Sequence, residues 1–466
     1  MRRVFPARPA RAFPEGIAGA RRKIASTTPR EETCTVKLSD HFKTRQPSSI
    51  RAASIRFAAR RDGAQAINVA IGNVSLAMHP AMIERMRNLG SAFPDGVVKY
   101  TATVGTDECR QAFLNVIGAS GCSTEGLHCQ ITDGGSQAME LVLLGVCGPA
   151  GTREAPLLLI DAAYTNYKSF AERLGRATVS IHRHLEEHGK FCLPEMHHIE
   201  KVIRERKPGA LLVIPYDNPT GHYYDHDMMV QLGRLCVQHN LWMISDEAYR
   251  ELCYTGQRMS SVWALTEAEV PGIAGRRISI ETASKVWNAC GLRIGALVTD
   301  NQEFHTRAVA ENTASLCPNT LGQHIFGALA HLPHAELQQW FERQRAYYRS
   351  MLGDFARRTK ELLPRAIVSS PDAALYSVVD FRRMAPDFDA MDFVMWCASE
   401  GAVEQDGQRM TLLTAPMEGF YDDPKSGRTQ LRIAYVETPE RMQRVPDLLA
   451  ALVTEYLARR SQAVAR

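Results

Sequence analysis

The 466-residue chain is too long for one small hydrophobic core and short for three independent domains, so two unequal domains are expected. Its net charge of +4 is small, and no run of eighteen apolar residues occurs, which argues against nucleic-acid and membrane partners. The eleven cysteines form no C-x-x-C pair and no zinc-type cluster. This usage favours a reducing compartment, the cytoplasm, and predicts no bound metal.

The N-terminal region differs in composition from the rest of the chain. Residues 1–30 contain eight Arg or Lys and a single acid, Glu15. A basic, acid-poor start is typical of a transit peptide, but four prolines in this stretch oppose the amphipathic helix such a peptide forms. The alternatives are a disordered tail or an overlong start to the reading frame. We assign residues 1–60 to a basic tail and arm, partly disordered.

From residue 127 onward, short apolar runs alternate with segments of helical spacing. The apolar runs predict buried strands, at residues 129–132, 156–161, 210–215, 241–245 and 278–282. Helical spacing over 137–146 and 225–239 separates some of these strands. The alternation predicts an α/β fold with a mostly parallel sheet that is covered on both faces.

The pattern changes after about residue 330. A charged helical stretch over 334–363 predicts a long helix between two domains. Further strands are predicted at 374–379 and 431–435, and a last helix at 439–459. We therefore predict a large domain over 92–325 and a small domain built from 61–91 plus 326–466.

Two polar motifs follow the ends of predicted strands, where ligands bind in sheets of this kind. The first is T-D-G-G-S-Q-A at 132–138, whose paired glycines and helix start suit a phosphate group. A tight turn with a helix cap is the alternative interpretation. The second is D-N-P-T-G at 217–221, where Asn218 offers both a donor and an acceptor, although a plain turn uses the same residues.

Two further motifs carry charged side chains. Asp246, in S-D-E-A-Y at 245–249, ends a buried strand and requires a cationic or protonated partner, unless it caps a helix. Lys285 follows another strand among small and apolar residues, which favours the neutral amine that attacks an aldehyde. Arg293, eight residues later, suits a phosphate group.

In this order and spacing, the four motifs resemble the class I/II aminotransferases, pyridoxal-phosphate (PLP) enzymes of fold type I similar to aspartate aminotransferase. The resemblance covers about residues 67–440 and implies a mostly parallel seven-stranded sheet in the large domain with a smaller α+β domain from both chain ends. It also implies that Lys285 forms the internal aldimine with PLP and later moves protons, while Asp246 keeps the pyridine nitrogen protonated. Tyr249 and Asn218 would then hydrogen-bond the phenolic oxygen.

The same resemblance implies further contacts. Tyr164, in A-A-Y-T-N-Y, would stack on the pyridine ring. The phosphate would be held by Gly135, Ser136, Gln137, Thr282 and Arg293. Arg432, Asn218 and Gly72, the glycine that ends an early strand over 67–72, would bind the substrate carboxylate. Tyr100 would reach the phosphate of a neighbouring subunit and so implies a homodimer, the alternative being a core tyrosine of its own chain.

The resemblance implies transamination between an α-amino acid and a 2-oxo acid. Lyases, decarboxylases and synthases on the same scaffold use the equivalents of Lys285, Asp246 and Tyr249, so this alternative stays open. A non-enzymatic regulator would need a DNA-binding module, and no helix-turn-helix pattern precedes residue 60. Three histidines in a connecting segment are not interpreted as a metal site: His182, His184 and His188.

Overall fold

The computed structural model describes residues 36–152, 155–257 and 259–464. Contacts divide the chain into residues 1–46 and a compact unit of residues 47–466. In the first unit, the short helix α1 (Asp40–Thr44) is capped by Ser39. The transit-peptide and disordered-tail expectations for residues 1–30 lie outside the described residues.

All strands of the described residues lie in the second unit. In chain order they are β1 (Gln65–Asn68), β2 (His128–Thr132), β3 (Leu157–Asp161), β4 (Thr178–His182), β5 (Ala210–Val213), β6 (Trp242–Asp246), β7 (Arg277–Thr282), β8 (Gly295–Thr299), β9 (Ile367–Val368), β10 (Tyr376–Asp380), β11 (Val403–Gln405), β12 (Gln408–Leu413), β13 (Ala415–Pro416) and β14 (Gln430–Ala434). They form three sheets.

The largest sheet has seven strands in the order β2-β8-β7-β6-β5-β3-β4. Strand β8 runs antiparallel to both of its neighbours, and the other pairs are parallel. The prediction of a mostly parallel seven-stranded sheet is therefore confirmed. Every residue of β3 and β5 is buried, which explains why these strands are continuous apolar runs in the sequence.

Helices cover this sheet and build the rest of the unit. After α1 they are α2 (Ser49–Ala58), α3 (Pro80–Arg87), α4 (Leu89–Ala92), α5 (Asp107–Ala119), α6 (Gly134–Val146), α7 (Asn166–Arg173), α8 (Met196–Arg206), α9 (His226–Gln238), α10 (Gln302–Asn312), α11 (Thr320–Phe326), α12 (His334–Leu362), α13 (Ala390–Ser399) and α14 (Pro439–Val464). The predicted long helix after residue 334 is confirmed as α12. Of the helices in the described part of the chain, none is long and apolar enough to cross a membrane.

Two small sheets contain the remaining strands, β1-β12-β11 and β13-β14-β10-β9. Strand β1 pairs in parallel with β12, so one small sheet joins the beginning of the compact unit to its C-terminal part. The large sheet, in contrast, takes all its strands from between residues 128 and 299. The division into a large domain over 92–325 and a small domain over 61–91 plus 326–466 stays a prediction.

The early strand is shorter than expected. It was predicted to extend to Gly72, but β1 ends at Asn68. The backbone leaves the strand because the Ala70 amide bonds to the Asn68 side chain, and the Ala70 carbonyl accepts from Arg432. As a result, the backbone of residues 70–72 faces a cavity rather than a neighbouring strand.

Candidate active site

A cavity of about 900 Å³ lies where the strands of the large sheet end at their carboxyl sides. The structure places eleven of the predicted site residues in its wall: Gly72, Gly135, Ser136, Tyr164, Asn218, Asp246, Tyr249, Thr282, Lys285, Arg293 and Arg432. Two predicted residues are not in the wall, Gln137 and Tyr100. The motifs are far apart in the sequence, and the parallel sheet brings them together because its strands end along one edge.

Lys285 enters the cavity from the loop that follows β7. Its Nζ donates a hydrogen bond to the Gly72 carbonyl. A Cβ at position 72 would lie 2.9 Å from this Nζ and 2.7 Å from the Tyr376 hydroxyl, so only glycine leaves room there. Among the described residues, this backbone carbonyl is the one hydrogen-bond acceptor of the amine, and Lys285 lines the cavity.

Asp246 ends β6 and offers a carboxylate with no ion-pair partner among the described side chains. One of its oxygens accepts from the Tyr167 hydroxyl at 2.5 Å, and the other from the Ala248 amide at 3.1 Å. Burial raises the pKa of Asp246 to about 6, although the Tyr167 hydrogen bond opposes the shift. A buried acceptor of this kind suits a protonated ring nitrogen.

Tyr249 lies at the centre of a hydrogen-bonded chain. The Asn218 side-chain amide donates to its hydroxyl at 3.2 Å, and the Tyr376 hydroxyl lies 2.7 Å from it. Burial raises the pKa of Tyr249 well above its usual value, so this phenol stays protonated. If Asn218 and Tyr376 both donate to its oxygen, the proton of Tyr249 is free to point into the cavity.

The glycine-rich motif and Arg293 form another wall of the cavity. Helix α6 begins at Gly134 without a side-chain cap, so the amides of Gly135 and Ser136 remain as donors. A Cβ at Gly134 would collide with the Arg293 guanidinium, which shows how closely the two segments approach. The Thr282 hydroxyl lines the same cavity and bonds to Ser284 at 2.8 Å. Together these donors suit a phosphate group.

Gln137 differs from the expectation. Its side chain accepts from the Asp133 amide at 2.7 Å and donates to Asn312 at 3.0 Å. The physical reason is that α6 begins three residues before it, which turns this side chain back over the first turn of the helix. Its side chain is thus used in the structure of the loop and not in the cavity wall.

Arg432 lies in β14 and is almost completely buried. It donates to the Asn218 side chain at 3.0 Å and to the Ala70 carbonyl, while its guanidinium stacks on the rings of Tyr376 and Phe420 at 4.5 and 5.1 Å. Its Nε has no hydrogen-bond partner in the described part of the chain. A buried guanidinium with donors to spare suits a carboxylate.

Sequence reasoning missed two tyrosines of this site. Tyr167 was seen only as the last residue of the A-A-Y-T-N-Y motif, yet it bonds Asp246. Tyr376 was seen only as part of a predicted strand, yet it contacts both Tyr249 and Arg432. Tyr167 lies in the first turn of α7 and Tyr376 is the first residue of β10, so neither follows a strand of the large sheet, which was the signal that identified the other residues.

Comparisons with known proteins agree with this geometry. Residues 64–445 match the family described as aminotransferase class I and II. The aspartate/prephenate aminotransferase of Thermus thermophilus is 24% identical over 358 residues, which are 75% of this chain and 86% of that protein. Human kynurenine–oxoglutarate transaminase 1 is 25% identical over 259 residues, 52% of this chain and 57% of that protein.

Solved structures show the same fold. A single mutant of Thermus thermophilus aspartate aminotransferase superposes with a TM-score of 0.73 at 21% identity, covering 90% of this chain and 100% of that one. Bna3p of Saccharomyces cerevisiae, described as a putative kynurenine aminotransferase, gives a TM-score of 0.74 at 18% identity, covering 90% and 99%. Fold and cavity thus define an α/β enzyme with the fold of aspartate aminotransferase, as predicted. The chain belongs to the class I and II aminotransferase family, whose members depend on pyridoxal phosphate.

The residues of the cavity fit this cofactor. The uncapped start of α6 offers free backbone donors close to the Arg293 guanidinium, an arrangement that suits a phosphate. Asp246 is an acceptor with no ion pair among the described side chains, which suits a protonated pyridine nitrogen. Lys285 carries the amine that an aldehyde requires, and it lies in the same cavity.

We predict that Tyr376→Phe shifts the pH at which the absorbance of the bound cofactor changes. The variant loses the 2.7 Å contact with Tyr249, so Tyr249 becomes a weaker donor to a negatively charged oxygen in the cavity. The apparent pKa should rise by up to about one unit, measured by spectroscopic titration of the holoenzyme. The matched control is Tyr435→Phe, which removes a buried 2.9 Å contact with Ser377 away from the cavity. An equal shift in both variants would contradict the assignment.

Proposed function

We propose that the enzyme transfers an amino group from an α-amino acid to a 2-oxo acid, with Lys285 as the residue that holds pyridoxal phosphate covalently. The proposal rests on one observation: the same cavity is lined by Lys285, Asp246, Arg293 and Arg432. The first three suit the cofactor, and the fourth suits the carboxylate that every α-amino acid carries.

When bound, pyridoxal phosphate supplies an electron-withdrawing ring that accepts the electron pair of a broken Cα–H bond. Asp246 would keep the ring nitrogen protonated, and its burial makes it a strong acceptor for that proton. Tyr249 and Asn218 would hydrogen-bond the phenolic oxygen. Lys285 would take the proton from the substrate Cα and deliver it to carbon C4′ of the cofactor. Its amine is available for this step because the amino group of the substrate takes the place of Lys285 on the cofactor.

Binding and orientation fall to other residues. Arg293, Thr282 and the amides of Gly135 and Ser136 would hold the phosphate, and Tyr164 would cover the ring. Burial raises the pKa of Tyr164 to about 12, so the phenol remains neutral beside the ring. Arg432 would bind the α-carboxylate of the substrate, with the backbone at Gly72 close by.

A half-reaction screen tests this function. Purified holoenzyme is mixed with single amino acids while the absorbance of the cofactor is followed. Transamination should convert the aldehyde form of the cofactor to its amine form and release one equivalent of 2-oxo acid per site, and a 2-oxo acid should reverse the change. Release of carbon dioxide, or of ammonia without the amine form of the cofactor, would instead identify a decarboxylase or a lyase.

We further propose that the enzyme is a homodimer. The Tyr100 side chain is 78% exposed, so the interpretation of it as a core tyrosine is wrong. Three further large apolar side chains, Val97, Val98 and Leu316, are at least half exposed. Hydrogen bonds hold this region in place, including one from Thr103 to the Leu316 carbonyl at 2.7 Å. An ordered surface of exposed apolar side chains supports a second copy of the chain as its partner.

We predict that two variants of reduced activity restore activity when their subunits are exchanged. If Tyr100 completes the phosphate site of the other subunit, a mixed dimer of Tyr100→Phe with Lys285→Ala has one site with both substitutions and one with neither. Its activity should rise clearly above that of either parent after subunit exchange. Activity equal to the average of the parents, or a fully active monomer in sedimentation at assay concentration, contradicts the shared site.

We also propose a cytoplasmic location. The ten cysteines of the described residues are all free thiols. Burial raises the pKa of Cys122 to about 11, which keeps this thiol protonated and apolar. Free, buried thiols of this kind support a reducing compartment.

A further inference from the structure

One fully buried arginine has no role in the proposed function. Arg183 directly follows β4, the edge strand of the large sheet, and its side chain is completely buried. It does not line the cavity. Removing a guanidinium from water is costly unless its partners compensate for the lost hydration, so the contacts of Arg183 indicate what it does.

Arg183 connects the ends of three neighbouring strands. Its backbone amide donates to the Asp161 carbonyl at the end of β3 at 3.0 Å, and its Nη2 donates to the Ala162 carbonyl at 2.8 Å. The same Nη2 donates to the Asp217 carboxylate, in the segment after β5, at 2.6 Å. Nη1 donates to the Tyr224 hydroxyl at 3.0 Å. Because β3 lies between β4 and β5, the side chain crosses the carboxyl end of β3.

Asp217 precedes Asn218 in the chain, and both of its carboxylate oxygens are used. Oδ2 accepts from Arg183, and Oδ1 accepts from the Thr220 hydroxyl at 2.7 Å and from the Thr220 amide at 3.2 Å. The Asp217 carbonyl also accepts from the Gly221 amide at 2.9 Å. The carboxylate therefore fixes this turn against the guanidinium, and the direction in which Asn218 leaves the turn is fixed with it.

Asn218 connects the turn to the chemistry of the cavity. Its side chain accepts from Arg432 at 3.0 Å and donates to the Tyr249 hydroxyl at 3.2 Å. Tyr164, in the loop after β3, lines the same cavity. Under the proposed function, Asn218 contacts the phenolic oxygen of the cofactor and Tyr164 covers its ring. The two loops that Arg183 joins are thus the two that place these side chains around one ring.

A buried ion pair of this kind is not explained by stability alone. Apolar side chains of similar volume often replace such a pair without loss of stability, whereas in some proteins the pair selects one arrangement of its surroundings. In the described part of the chain, Arg183 is the one ion-pair partner of Asp217. The nearby His222 imidazole does not compete as a cation, because burial lowers its pKa to about 3. The pair is therefore a fixed connection between the two loops.

We propose that Arg183 is a positioning residue for the bound cofactor. Acting through Asp217, it holds Asn218 at the phenolic oxygen. Acting through the Ala162 carbonyl, it holds Tyr164 over the ring. This inference rests on the roles of Asn218 and Tyr164 in the proposed function. Arg183 itself lies outside the cavity wall, so it contacts neither the cofactor nor the substrate.

The test uses holoenzyme from which both charges of the pair are removed. Arg183→Met combined with Asp217→Asn leaves no buried unpaired charge, so the fold should be retained while the two loops lose their connection. With Asn218 less well placed, the negative phenolic oxygen is stabilised less. The pH at which the cofactor absorbance changes should therefore rise by about one unit. The dissociation constant of pyridoxal phosphate should rise by roughly 10-fold, and kcat/KM should fall by roughly 10- to 100-fold.

A conservative variant and a second ion pair provide the controls. In Arg183→Lys a charge stays opposite Asp217, but the ammonium cannot also occupy the place of Nη1 at Tyr224, so each effect should be smaller. Arg277→Met combined with Asp300→Asn removes a 2.7 Å pair of the same residue types at the amino end of β7, opposite the cavity. This variant should leave the cofactor absorbance and kcat/KM unchanged, even where urea unfolding shows a loss of stability.

A double-mutant cycle tests the route through Asn218. If the ion pair acts on the phenolic oxygen through this side chain, removal of the pair should add little to the absorbance shift that Asn218→Ala already causes. Additive shifts would mean that the pair does not act through Asn218 and would overturn the proposal.

The outcomes keep this inference separate from the proposed function. An unchanged absorbance titration in the folded double variant, or an equal change in the control pair, would overturn the role of Arg183 and leave transamination intact. If the double variant does not fold, Arg183→Lys decides through the same titration. If no amino acid yields a 2-oxo acid, the proposed function fails, and the titration and the dissociation constant still decide the role of Arg183, since neither requires turnover.

Discussion

Replacement of Lys285 by alanine is expected to lower turnover of the holoenzyme by a factor on the order of 10⁴ or more, because under the proposed function one side chain both holds the cofactor and moves the proton. The fold should survive, since the substitution removes only the hydrogen bond from Nζ to the Gly72 carbonyl. The proposed phosphate donors near Arg293 remain, so the variant should still bind pyridoxal phosphate without a covalent bond. Steady-state kinetics and the absorbance of the dialysed protein measure the two effects.

Chemical labelling tests the same assignment directly. Borohydride reduction of the wild-type holoenzyme, followed by peptide mapping, should place the pyridoxyl group on Lys285. Lys360→Ala is the control, because Lys360 is exposed in the last turn of α12, and this variant should be labelled and active like the wild type. A label on any other lysine would falsify the assignment of the site as a whole.

Most strands of the large sheet could be predicted because a buried strand is marked by the apolar residues of its own segment. A strand covered on both faces is a continuous apolar run, as in β3 and β5, and such runs are visible without any knowledge of their neighbours. Strands β4 and β8, in contrast, were not predicted. Strand β4 lies at the sheet edge, and its buried residues alternate with partly exposed Thr178 and Ser180, so no apolar run marks it. Strand β8 is buried throughout, but Gly295 and Thr299 at its ends leave an apolar run of only three residues.

The site was predictable where its residues follow strands and was missed where contacts join distant segments. Asp246 and Lys285 follow predicted strands, so their place at one edge could be inferred. Tyr376 reaches Tyr249 across 127 positions of sequence, and that contact depends on how β10 is placed beside the large sheet. Contacts of this kind are set by tertiary packing and leave no local pattern.

Replacement of Asp246 by asparagine is expected to raise the barrier of the reaction by about 4 kcal/mol, a loss of roughly 10³-fold in kcat. An amide does not stabilise a protonated ring nitrogen as a carboxylate does. Glu247→Gln is the matched control, since Glu247 is buried beside Asp246 but accepts from Ser245 and Ser261 and does not line the cavity. Glu247→Gln should destabilise the fold without changing the absorbance of the cofactor. Near-normal activity in Asp246→Asn would mean that another acid is the partner of the protonated ring nitrogen.

Although Asp246→Asn should lower activity, it should not lower the stability of the protein without cofactor at neutral pH. Burial raises the pKa of Asp246 from 3.8 to about 6, so the folded state binds a proton that the unfolded state releases between these values. The stability contributed by this proton is complete below pH 3.8 and is lost as the pH rises through about 6, by up to about 3 kcal/mol. Asparagine has no charge to bury at any pH, although it gives up one of two hydrogen bonds, from Tyr167 or Ala248, worth about 1 kcal/mol.

Urea unfolding of the two apoproteins at pH 5 and at pH 7.5 measures this balance. Relative to the wild type, Asp246→Asn should gain free energy of unfolding between the two pH values and should be at least as stable at pH 7.5. A difference between the two proteins that does not change with pH would mean that Asp246 is ionised without cost in the folded apoprotein. The carboxylate would then not be held in the cavity at the expense of stability, and the argument that it awaits a cationic partner would lose its basis.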